Sequence, residues 1–238
     1  MYSIVTSKLT KKFKDKVAVN EIDLQIKQGE LFALLGTNGA GKTTTIKMLS
    51  GLILPTSGSI TIQNMDIEKD VYKIKEILNV SPQETAIAPN LTVKENLEFM
   101  AGVYQISNKD SKISQLIEQF KLDEVLNKKA KTLSGGWQRR VSIAISLIND
   151  PKILFLDEPT LGLDIKSRRN LWELIKKLKS QMTIFLTTHY LEEVENLTDR
   201  IAIISKGKIK AIGTVPEILE MTAENNLEEA FLKLSEEE

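Results

Sequence analysis

One stretch of the sequence has the residue types and the spacing needed to bind phosphate. The segment LFALLGTNGAGKTTT contains the pattern G-x-x-x-x-G-K-[ST] between a short apolar run and a helical pattern. Glycines let successive backbone N–H groups turn toward an anion, and the N-terminus of the following helix adds partial positive charge. Lys42 can reach the β and γ phosphates of a nucleotide, and the Thr43 hydroxyl can bind Mg²⁺. The predicted nucleotide-binding residues are Gly36, Thr37, Asn38, Gly39, Ala40, Gly41, Lys42, Thr43 and Thr44. A glycine-rich turn with an accidental lysine is the alternative, and the flanking strand and helix argue against it.

A second chemical group lies in the segment ILFLDEPT. Four apolar residues predict a buried strand, and Asp157 follows at its carboxyl end, where open α/β sheets bind their ligands. An acidic side chain there suits Mg²⁺ coordination, directly or through water. Glu158 comes next and is expected to point elsewhere, so it is a candidate general base for an attacking water. Two ordinary carboxylates at a strand end are the alternative interpretation.

His189 is the only histidine of the chain and follows the apolar run TIFLTT. This run is the next strongly apolar strand pattern after Asp157, so its carboxyl end should lie at the same edge of the sheet. A lone histidine is more often a packed or surface residue. Its position nevertheless predicts a polar contact with the γ-phosphate region.

The stretch LSGGWQRR places a serine before two adjacent glycines at the start of a helical pattern. Neither the predicted fold nor the phosphate-binding loop of the same chain obviously needs this glycine pair. The alternative interpretation is that Ser134 is simply the N-cap of an ordinary helix, and this alternative leaves the two glycines unexplained. We therefore expect the stretch to act on something outside its own chain.

The elements that must position these residues follow an alternating pattern. Apolar strand patterns alternate with helical ones, which predicts a mainly parallel sheet with right-handed crossovers. Between residues 90 and 149 the spacing is almost entirely helical, and Pro151 ends this block before the strand pattern resumes. The block therefore looks like an inserted helical subdomain.

Composition narrows the functional classes. The 238 residues are 42% hydrophobic and 5% aromatic, which is typical of a globular domain with an aliphatic core. Lys+Arg and Asp+Glu both total 32, so net charge does not recruit nucleic acid or an anionic membrane surface. The chain has no cysteine, which excludes disulfides and thiolate metal sites, and no apolar run long enough to span a bilayer. If this protein works at a membrane, another chain supplies the spanning part.

The order of the motifs along the chain resembles that of the ATP-binding subunit of an ABC transporter, and the resemblance covers nearly the whole chain. The motifs are, in order, the phosphate loop, LSGG, LFLDEP, LGLD and the histidine at a strand end. The resemblance implies an α/β P-loop NTPase fold of the RecA-like type, with a mainly parallel sheet, an antiparallel β part and an inserted α-helical subdomain. It implies one nucleotide-binding domain over residues 1–238. Residues 1–89 and 150–238 would form the ATP-binding core, and residues 90–149 the helical subdomain that carries the signature.

The resemblance also assigns residues. It implies ATP and Mg²⁺ as cofactors, with Phe13 stacking on adenine and Gln83 joining Thr43 and Asp157 near the metal. A surface aromatic and a polar loop residue are the alternatives for Phe13 and Gln83. The signature acting on a partner's ATP would be Leu133, Ser134, Gly135, Gly136 and Trp137, and the dimer loop would be Leu163 and Asp164. Asp164 could also cap a helix.

Two residues depart from the family pattern. Trp137 stands where glutamine is usual, with Gln138 next, which puts any side-chain role of this position in doubt. Phe13 is a milder departure, because tyrosine is common there.

The family assembles two nucleotide-binding subunits head to tail. The implied partners are therefore a homodimeric copy or close homologue and a separately encoded membrane permease at the cytoplasmic face of the cell membrane. The segments PNLTVKENLEFMAGVYQI and THYLEEVENLTDRIAIISKGKIKAIGT resemble the prokaryotic drug, lipid and sodium exporter branch. A soluble ABC ATPase acting on nucleic acid or ribosomes is the alternative, although no basic footprint favours nucleic acid. A simple P-loop kinase or GTPase would leave LSGG without a purpose. The transported substrate is not encoded here.

Overall fold

The computed structural model describes residues 1–236, and the last two residues of the predicted 150–238 core segment lie outside that range. Strands and helices alternate through most of the chain. The strands are β1 (Tyr2–Phe13), β2 (Lys16–Lys27), β3 (Leu31–Leu35), β4 (Ser57–Ile62), β5 (Met65–Asp66), β6 (Leu78–Ser81), β7 (Ile153–Asp157), β8 (Thr183–Thr188), β9 (Arg200–Ser205) and β10 (Lys208–Gly213). The helices are α1 (Lys42–Leu49), α2 (Val71–Ile77), α3 (Val93–Val103), α4 (Lys109–Phe120), α5 (Gly135–Ile145), α6 (Ile165–Lys179), α7 (Leu191–Leu197), α8 (Val215–Thr222) and α9 (Leu227–Glu236).

The strands form two sheets. The larger sheet has six strands in the order β10-β9-β3-β8-β7-β6. All its neighbouring pairs are parallel except β9 with β10. The smaller sheet has four strands in the order β2-β1-β4-β5, and its pairs are antiparallel. The predicted fold class, a mainly parallel sheet with an antiparallel β part, is confirmed.

The large sheet is buried on both faces. In β3, Leu31, Ala33 and Leu35 pack into a core that includes residues of α3 to α7. The alternate residues Phe32 and Leu34 pack into a second core with α1 and the small sheet. Because successive side chains of a strand point to opposite faces, a strand covered on both sides must be apolar throughout. This is why LFALL carries no polar residue.

Helices dominate the segment between β6 and β7. It contains α3, α4, α5 and two short 3-10 helices, with no strand among the described residues 90–149. The first of these helices begins at a capping box, in which Thr92 accepts from the backbone N–H of Glu95 and the Glu95 side chain returns to the backbone of Thr92. The division into core and helical subdomain stays a prediction. Within residues 1–236, none of the helices combines the length and the apolar character that crossing a bilayer demands.

The basic segment KLTKKFKDK, whose charges by themselves are typical of a solvated edge, also contributes to the core. Most of this segment belongs to β1, and Leu9 within it is fully buried. The pairing of β1 with β2 shifts register around Leu9 and again at Lys11. Bulges of this kind break the strict alternation by which a strand is recognised from sequence. The short elements α2 and β6 also escaped prediction, and within residues 1–236 two helices, α8 and α9, follow β10.

Candidate nucleotide-binding and catalytic site

The phosphate-binding loop connects β3 to α1 and bends as the glycine pattern predicts. Gly41, immediately before α1, has φ of 111°, and a Cβ there would lie 2.6 Å from the carbonyl oxygen of Ala18. Only glycine fits this backbone conformation and this approach. The buried Lys42 ammonium donates to the carbonyl oxygens of Gly36 at 2.7 Å and Thr37 at 3.1 Å. The loop therefore curls around its own lysine.

A cleft of about 500 Å³ opens in front of this loop. Phe13, at the tip of the β1–β2 hairpin, is 48% exposed and contributes an aromatic face to the cleft. Gln83 contributes an exposed polar side chain from the loop after β6. The lining residues are Phe13, Lys16, Ala18, Thr37, Asn38, Gly39, Gly41, Lys42, Thr43, Thr44, Gln83, Glu158 and Leu161.

Asp157 ends β7 beside the first turn of α1. Its Oδ1 accepts from the hydroxyls of Thr43 at 3.3 Å and Thr187 at 2.5 Å. The carboxylate is 3% exposed, so these hydroxyls hold it in one orientation. The side chains gathered here offer oxygen atoms, which is the donor chemistry that Mg²⁺ prefers. The residues present therefore fit a magnesium site.

Glu158 turns away from Asp157, as expected, and joins two other candidate residues. Its backbone has φ of 48°, a left-handed conformation that is uncommon for a side chain of this kind. Its Oε1 lies 3.0 Å from the Lys42 ammonium, and its Oε2 lies 2.8 Å from Nδ1 of His189. His189 follows the last residue of β8, at the same sheet edge as Asp157. The structure thus brings lysine, glutamate and histidine together.

Arg139 is a site residue that the sequence reasoning missed. Its side chain is 4% exposed and donates to the carbonyl oxygen of Pro82 at 2.6 Å and to that of Gln83. Burial lowers the pKa of this guanidinium, and the negative charge of Asp157 partly offsets the effect. One signal was available: Arg139 stands four residues before the buried Ile143, on the buried face of α5. A charge there needs partners. Arg139 thereby ties α5 to the loop that carries Gln83.

The LSGG stretch begins α5, and its residues have different surroundings. Ser134 occupies the N-cap position but its side chain makes no capping hydrogen bond, and the residue is exposed. A Cβ on Gly135 would meet only a Leu163 methyl carbon at 4.0 Å, whereas a Cβ on Gly136 would lie 2.9 Å from Oγ of Ser167. The expectation that the chain's own fold does not need the glycine pair is therefore wrong for Gly136, which α6 approaches closely. For Gly135 the structure offers no such reason.

The neighbouring predicted residues pack mainly within their own chain. Leu133 is 8% exposed and Leu163 is 9% exposed, and both belong to the core. Trp137 is partly buried against that core, with the Arg140 guanidinium 4.5 Å from its ring. Asp164 is exposed and caps α6, accepting from the backbone N–H of Ser167 at 3.0 Å.

The predicted site residues fall into two separate groups. Residues of the phosphate loop, Gln83 and Glu158 surround the nucleotide cleft. Ser134, Gly136 and Trp137 line a different, smaller cleft against α6. Among the residues that the structure describes, no residue of the LSGG stretch lines the nucleotide cleft.

Three features on a mainly parallel sheet together define an ATPase of the ABC type. They are a phosphate-binding loop, an acidic residue at a strand end, and a separate helix that begins with a serine and two glycines. The ABC transporter family profile matches residues 19–161, and the chain belongs to this family. It is therefore an ATP-binding cassette with ATPase activity.

Relatives of known identity cover most of the chain. The human phospholipid-transporting ATPase ABCA3 is 42% identical over 203 residues, which are 84% of this chain and 12% of that protein. The linearmycin resistance ATP-binding protein LnrL of Bacillus subtilis (strain 168) is 40% identical over 236 residues, which are 94% of this chain and 76% of that protein. The chain thus spans about an eighth of the first relative and about three quarters of the second.

Solved structures share the fold. The dimeric structure of the ATP-binding cassette MJ0796 in a post-hydrolysis state, bound to ADP and Pi, superposes with a TM-score of 0.80 at 27% identity. The match covers 89% of this chain and 98% of that one.

Proposed function

We propose that this cassette binds Mg²⁺ and ATP, pairs head to tail with a second nucleotide-binding subunit and powers export through a separate membrane permease. One observation carries the pairing. Ser134 and Gly135 lie at the start of α5 and are exposed, and the Ser134 side chain makes no capping hydrogen bond within its own helix. They also lie outside the nucleotide cleft of their own chain. A phosphate held by another subunit would satisfy the helix N-terminus that they form.

Binding of ATP would begin at Lys42. Its ammonium is held by the carbonyl oxygens of Gly36 and Thr37 and by the Glu158 carboxylate, all of which the β and γ phosphates can replace as partners. The backbone N–H groups at the first turn of α1 are available to the same anion. The adenine would stack on Phe13, whose exposed ring faces the cleft.

Thr43, Asp157 and Gln83 would hold Mg²⁺. The Thr43 hydroxyl and the Asp157 carboxylate already lie in contact, and Gln83 reaches the cleft from the loop that Arg139 fixes. When bound, the ion would supply positive charge that offsets the negative charge developing on the phosphates.

Glu158 would act as the general base. As the oxygen of a water bonds to the γ phosphorus, the bond from phosphorus to the β–γ bridging oxygen breaks and ADP leaves. Glu158 accepts the proton of the attacking water, because a polyphosphate has taken over its former partner Lys42. His189 orients the Glu158 carboxylate through Nδ1 and offers its other ring nitrogen to the γ phosphate.

The partner would be a second copy or a close homologue. Ser134 and the N–H groups of Gly135 and Gly136 would cap the γ phosphate held by the partner's phosphate loop. Asp164, exposed at the start of α6, would lie at the subunit boundary. The dimeric, ADP- and Pi-bound state of the cassette MJ0796 supports this arrangement.

The proposal also specifies the direction of transport, which is export, and a separate permease as the membrane component. The names of LnrL, a resistance protein, and of ABCA3, a phospholipid transporter, favour outward or lipid transport. The subunit would then work at the cytoplasmic face of the cell membrane. Residues 90–149 would form the helical subdomain and the remainder the ATP-binding core.

A mixing experiment tests the shared site. Ser134→Arg places bulk where the partner's γ phosphate must approach, and Lys42→Ala disables the phosphate loop. Each variant should be inactive alone, while Ser134→Arg should still bind ATP. Mixed dimers contain one composite site with an intact loop and an intact signature, so part of the ATPase activity should return. Groups supplied in trans are worth ~10³–10⁵ in rate in other phosphoryl-transfer systems, so rescue is measurable.

Ser107→Arg is the matched control, because Ser107 is exposed and belongs to neither cleft. It should behave like the wild type. Full ATPase activity of monomeric Ser134→Arg would refute the shared site. Mixed dimers that form without any rescue would show that both sites must act together or that the signature works within its own chain.

A further inference from the structure

The imidazole of His189 is held by more than its hydrogen bond to Glu158. That bond, 2.8 Å from Nδ1 to Oε2, fixes the position of one ring nitrogen. It does not by itself fix the plane of the ring, because the terminal torsion of a histidine side chain has a broad energy minimum. The direction of the other ring nitrogen, which would face the γ phosphate, therefore needs a second restraint.

The second restraint is the ring of Tyr190, the next residue in the chain. The centroids of the two rings lie 4.1 Å apart, with an angle of 39° between their planes. In an extended chain successive side chains diverge, so this contact requires a turn of the backbone. The Tyr190 N–H donates to Oγ1 of Thr188 at 3.0 Å, which fixes the turn between the end of β8 and the start of α7. An aromatic ring at this distance restricts rotation of the imidazole.

Tyr190 in turn packs against Arg168, near the start of α6. The central carbon of the guanidinium lies 4.6 Å from the centroid of the tyrosine ring, within the range of cation–π attraction. Nη1 of Arg168 lies 3.6 Å from a carboxylate oxygen of Glu192 on α7. Within residues 1–236, Nε of Arg168 is buried and has no hydrogen-bond acceptor. A buried cation without a full set of acceptors needs other compensation, and the face of the tyrosine ring supplies it.

Packing of the interior does not account for Tyr190. The residue is partly buried, but within residues 1–236 it does not pack against either of the two apolar cores. Tyr104, which is also partly buried, does pack against one of them. The ring of Tyr190 instead contacts the imidazole of His189 and the guanidinium of Arg168. Its surroundings therefore connect it to the ATPase site.

We propose that Tyr190 is a positioning residue of the ATPase site, which sets the plane of the His189 imidazole while Arg168 holds the tyrosine ring in place. The start of α6 and the end of β8 are thereby joined at the candidate catalytic histidine. The tyrosine acts through the face of its ring, so its hydroxyl group is not required. This inference rests on the proposed role of His189 at the γ phosphate.

ATP hydrolysis by variants of the stack tests the proposal. Tyr190→Leu should lower kcat by about 10-fold and leave the KM for ATP almost unchanged, because a misplaced catalytic group affects the chemical step and not ATP binding. Tyr190→Phe keeps the ring and should retain kcat within about twofold. Arg168→Gln should lower kcat by about threefold, in line with the modest strength of one cation–π contact. Tyr72→Leu is the matched control, because Tyr72 is 83% exposed on α2, and it should behave like the wild type.

A double-mutant cycle shows whether the effect passes through His189. In a His189→Ala background, Tyr190→Leu should change the remaining rate by less than about twofold, because no imidazole is left to position. His189 is the only histidine of the chain, so a preparation without a histidine tag gives one set of imidazole NMR signals. Those signals should shift in Tyr190→Leu, where the ring current of the tyrosine is lost, and stay near their wild-type positions in Tyr190→Phe.

The proposal is overturned if folded Tyr190→Leu keeps the wild-type kcat, or if it loses the same factor with and without His189, since an additive loss indicates a general effect on the fold. Low activity of Tyr190→Phe would also overturn it, because the hydroxyl group would then be needed. If Tyr190→Leu does not fold, Arg168→Gln decides the question by the same cycle and the same NMR signals. Normal hydrolysis by His189→Ala alone would refute the role of His189 in the proposed function, and this inference with it.

Discussion

The ammonium of Lys42 lies 3.0 Å from Oε1 of Glu158, and both side chains are about 5% exposed. The candidate phosphate-binding cation and the candidate base are thus direct partners inside the protein. A buried ion pair of this kind is costly to break by removing one member, because the other charge is left without compensation. Arrival of a polyphosphate at Lys42 would change the electrostatic surroundings of Glu158 at the same time. The proposed phosphate binding and base activation would then be coupled through this one contact.

Lys42→Ala should weaken ATP binding by about 10- to 100-fold, the range expected when hydrogen bonds to a charged group are lost. Isothermal titration calorimetry measures the affinity, and steady-state hydrolysis should be abolished. Lys47→Ala is the control, because Lys47 lies on the same helix with an exposed side chain. Unchanged ATP affinity with normal hydrolysis by Lys42→Ala would remove Lys42 from the nucleotide site.

Glu158→Gln should leave ATP binding intact and slow hydrolysis by roughly 10²–10⁴, the usual contribution of a general base. With ATP present, gel filtration should then detect a trapped dimer. Glu84→Gln, in an exposed position of the loop after β6, should hydrolyse ATP like the wild type. Rapid turnover by Glu158→Gln would move the base elsewhere, with His189 as the first candidate.

The two signature glycines should respond differently to alanine. Gly136→Ala introduces a Cβ 2.9 Å from Oγ of Ser167 and should destabilise the fold by about 1–2 kcal/mol, after allowance for alanine's better helix propensity. Gly135→Ala places its Cβ in ordinary contact, 4.0 Å from a Leu163 methyl carbon, so its stability should change by less than about 0.5 kcal/mol while ATPase activity falls because the partner's phosphate is obstructed. Urea unfolding and hydrolysis assays separate these effects. Equal stabilities, or full activity of folded Gly135→Ala, would contradict this division.

Trp137→Gln should keep substantial ATPase activity, because in the proposed shared site Ser134 and the backbone N–H groups, and not the Trp137 side chain, bind the partner's phosphate. The ring packs on the core and on the Arg140 guanidinium, so its loss should lower the free energy of unfolding by about 1–3 kcal/mol. Trp137→Phe, which keeps an aromatic ring, should recover most of that stability. A collapse of hydrolysis in a folded Trp137→Gln protein would show a specific role for the indole.

Arg139→Ala should destabilise the fold by about 2–4 kcal/mol, because it leaves the carbonyl oxygens of Pro82 and Gln83 without their donor. Limited proteolysis should then cleave the segment 82–90 faster than in the wild type. Arg169→Ala is the control, since Arg169 is exposed on α6. If the segment stays equally protected in Arg139→Ala, other contacts hold the loop.

Local pattern was sufficient where the functional unit is contiguous in sequence. The phosphate loop, from β3 into α1, lies within one short segment, so motif and flanks together predict both its structure and its ligand. The apolar run ILFL and the acidic pair after it behave in the same way, because a buried strand and the residue at its end are neighbours in the chain. The parallel sheet also follows from alternation of strand and helix patterns.

The sequence was less informative where packing between distant segments sets the outcome. The long strand β1 could not be recognised within its basic segment, because its pairing with β2 contains bulges. Bulges interrupt the alternation of buried and exposed residues by which a strand is recognised from sequence. Arg139 is buried against the carbonyl oxygens of another loop, and the only sequence signal of this burial is the position of Arg139 on the apolar face of its helix. The need for glycine at position 136 comes from Ser167 on a different helix.

By itself, then, the sequence determined the sheet type, the phosphate loop, the acidic strand end and the family, because each is carried by residues close together in the chain or by the order of motifs. Only the tertiary structure decided which side chains meet: Lys42 with Glu158, Glu158 with His189, and Glu193 with Trp172. Contacts between segments far apart depend on how strands are ordered in the sheet and how helices pack on it. Periodicity within one segment carries no information about either.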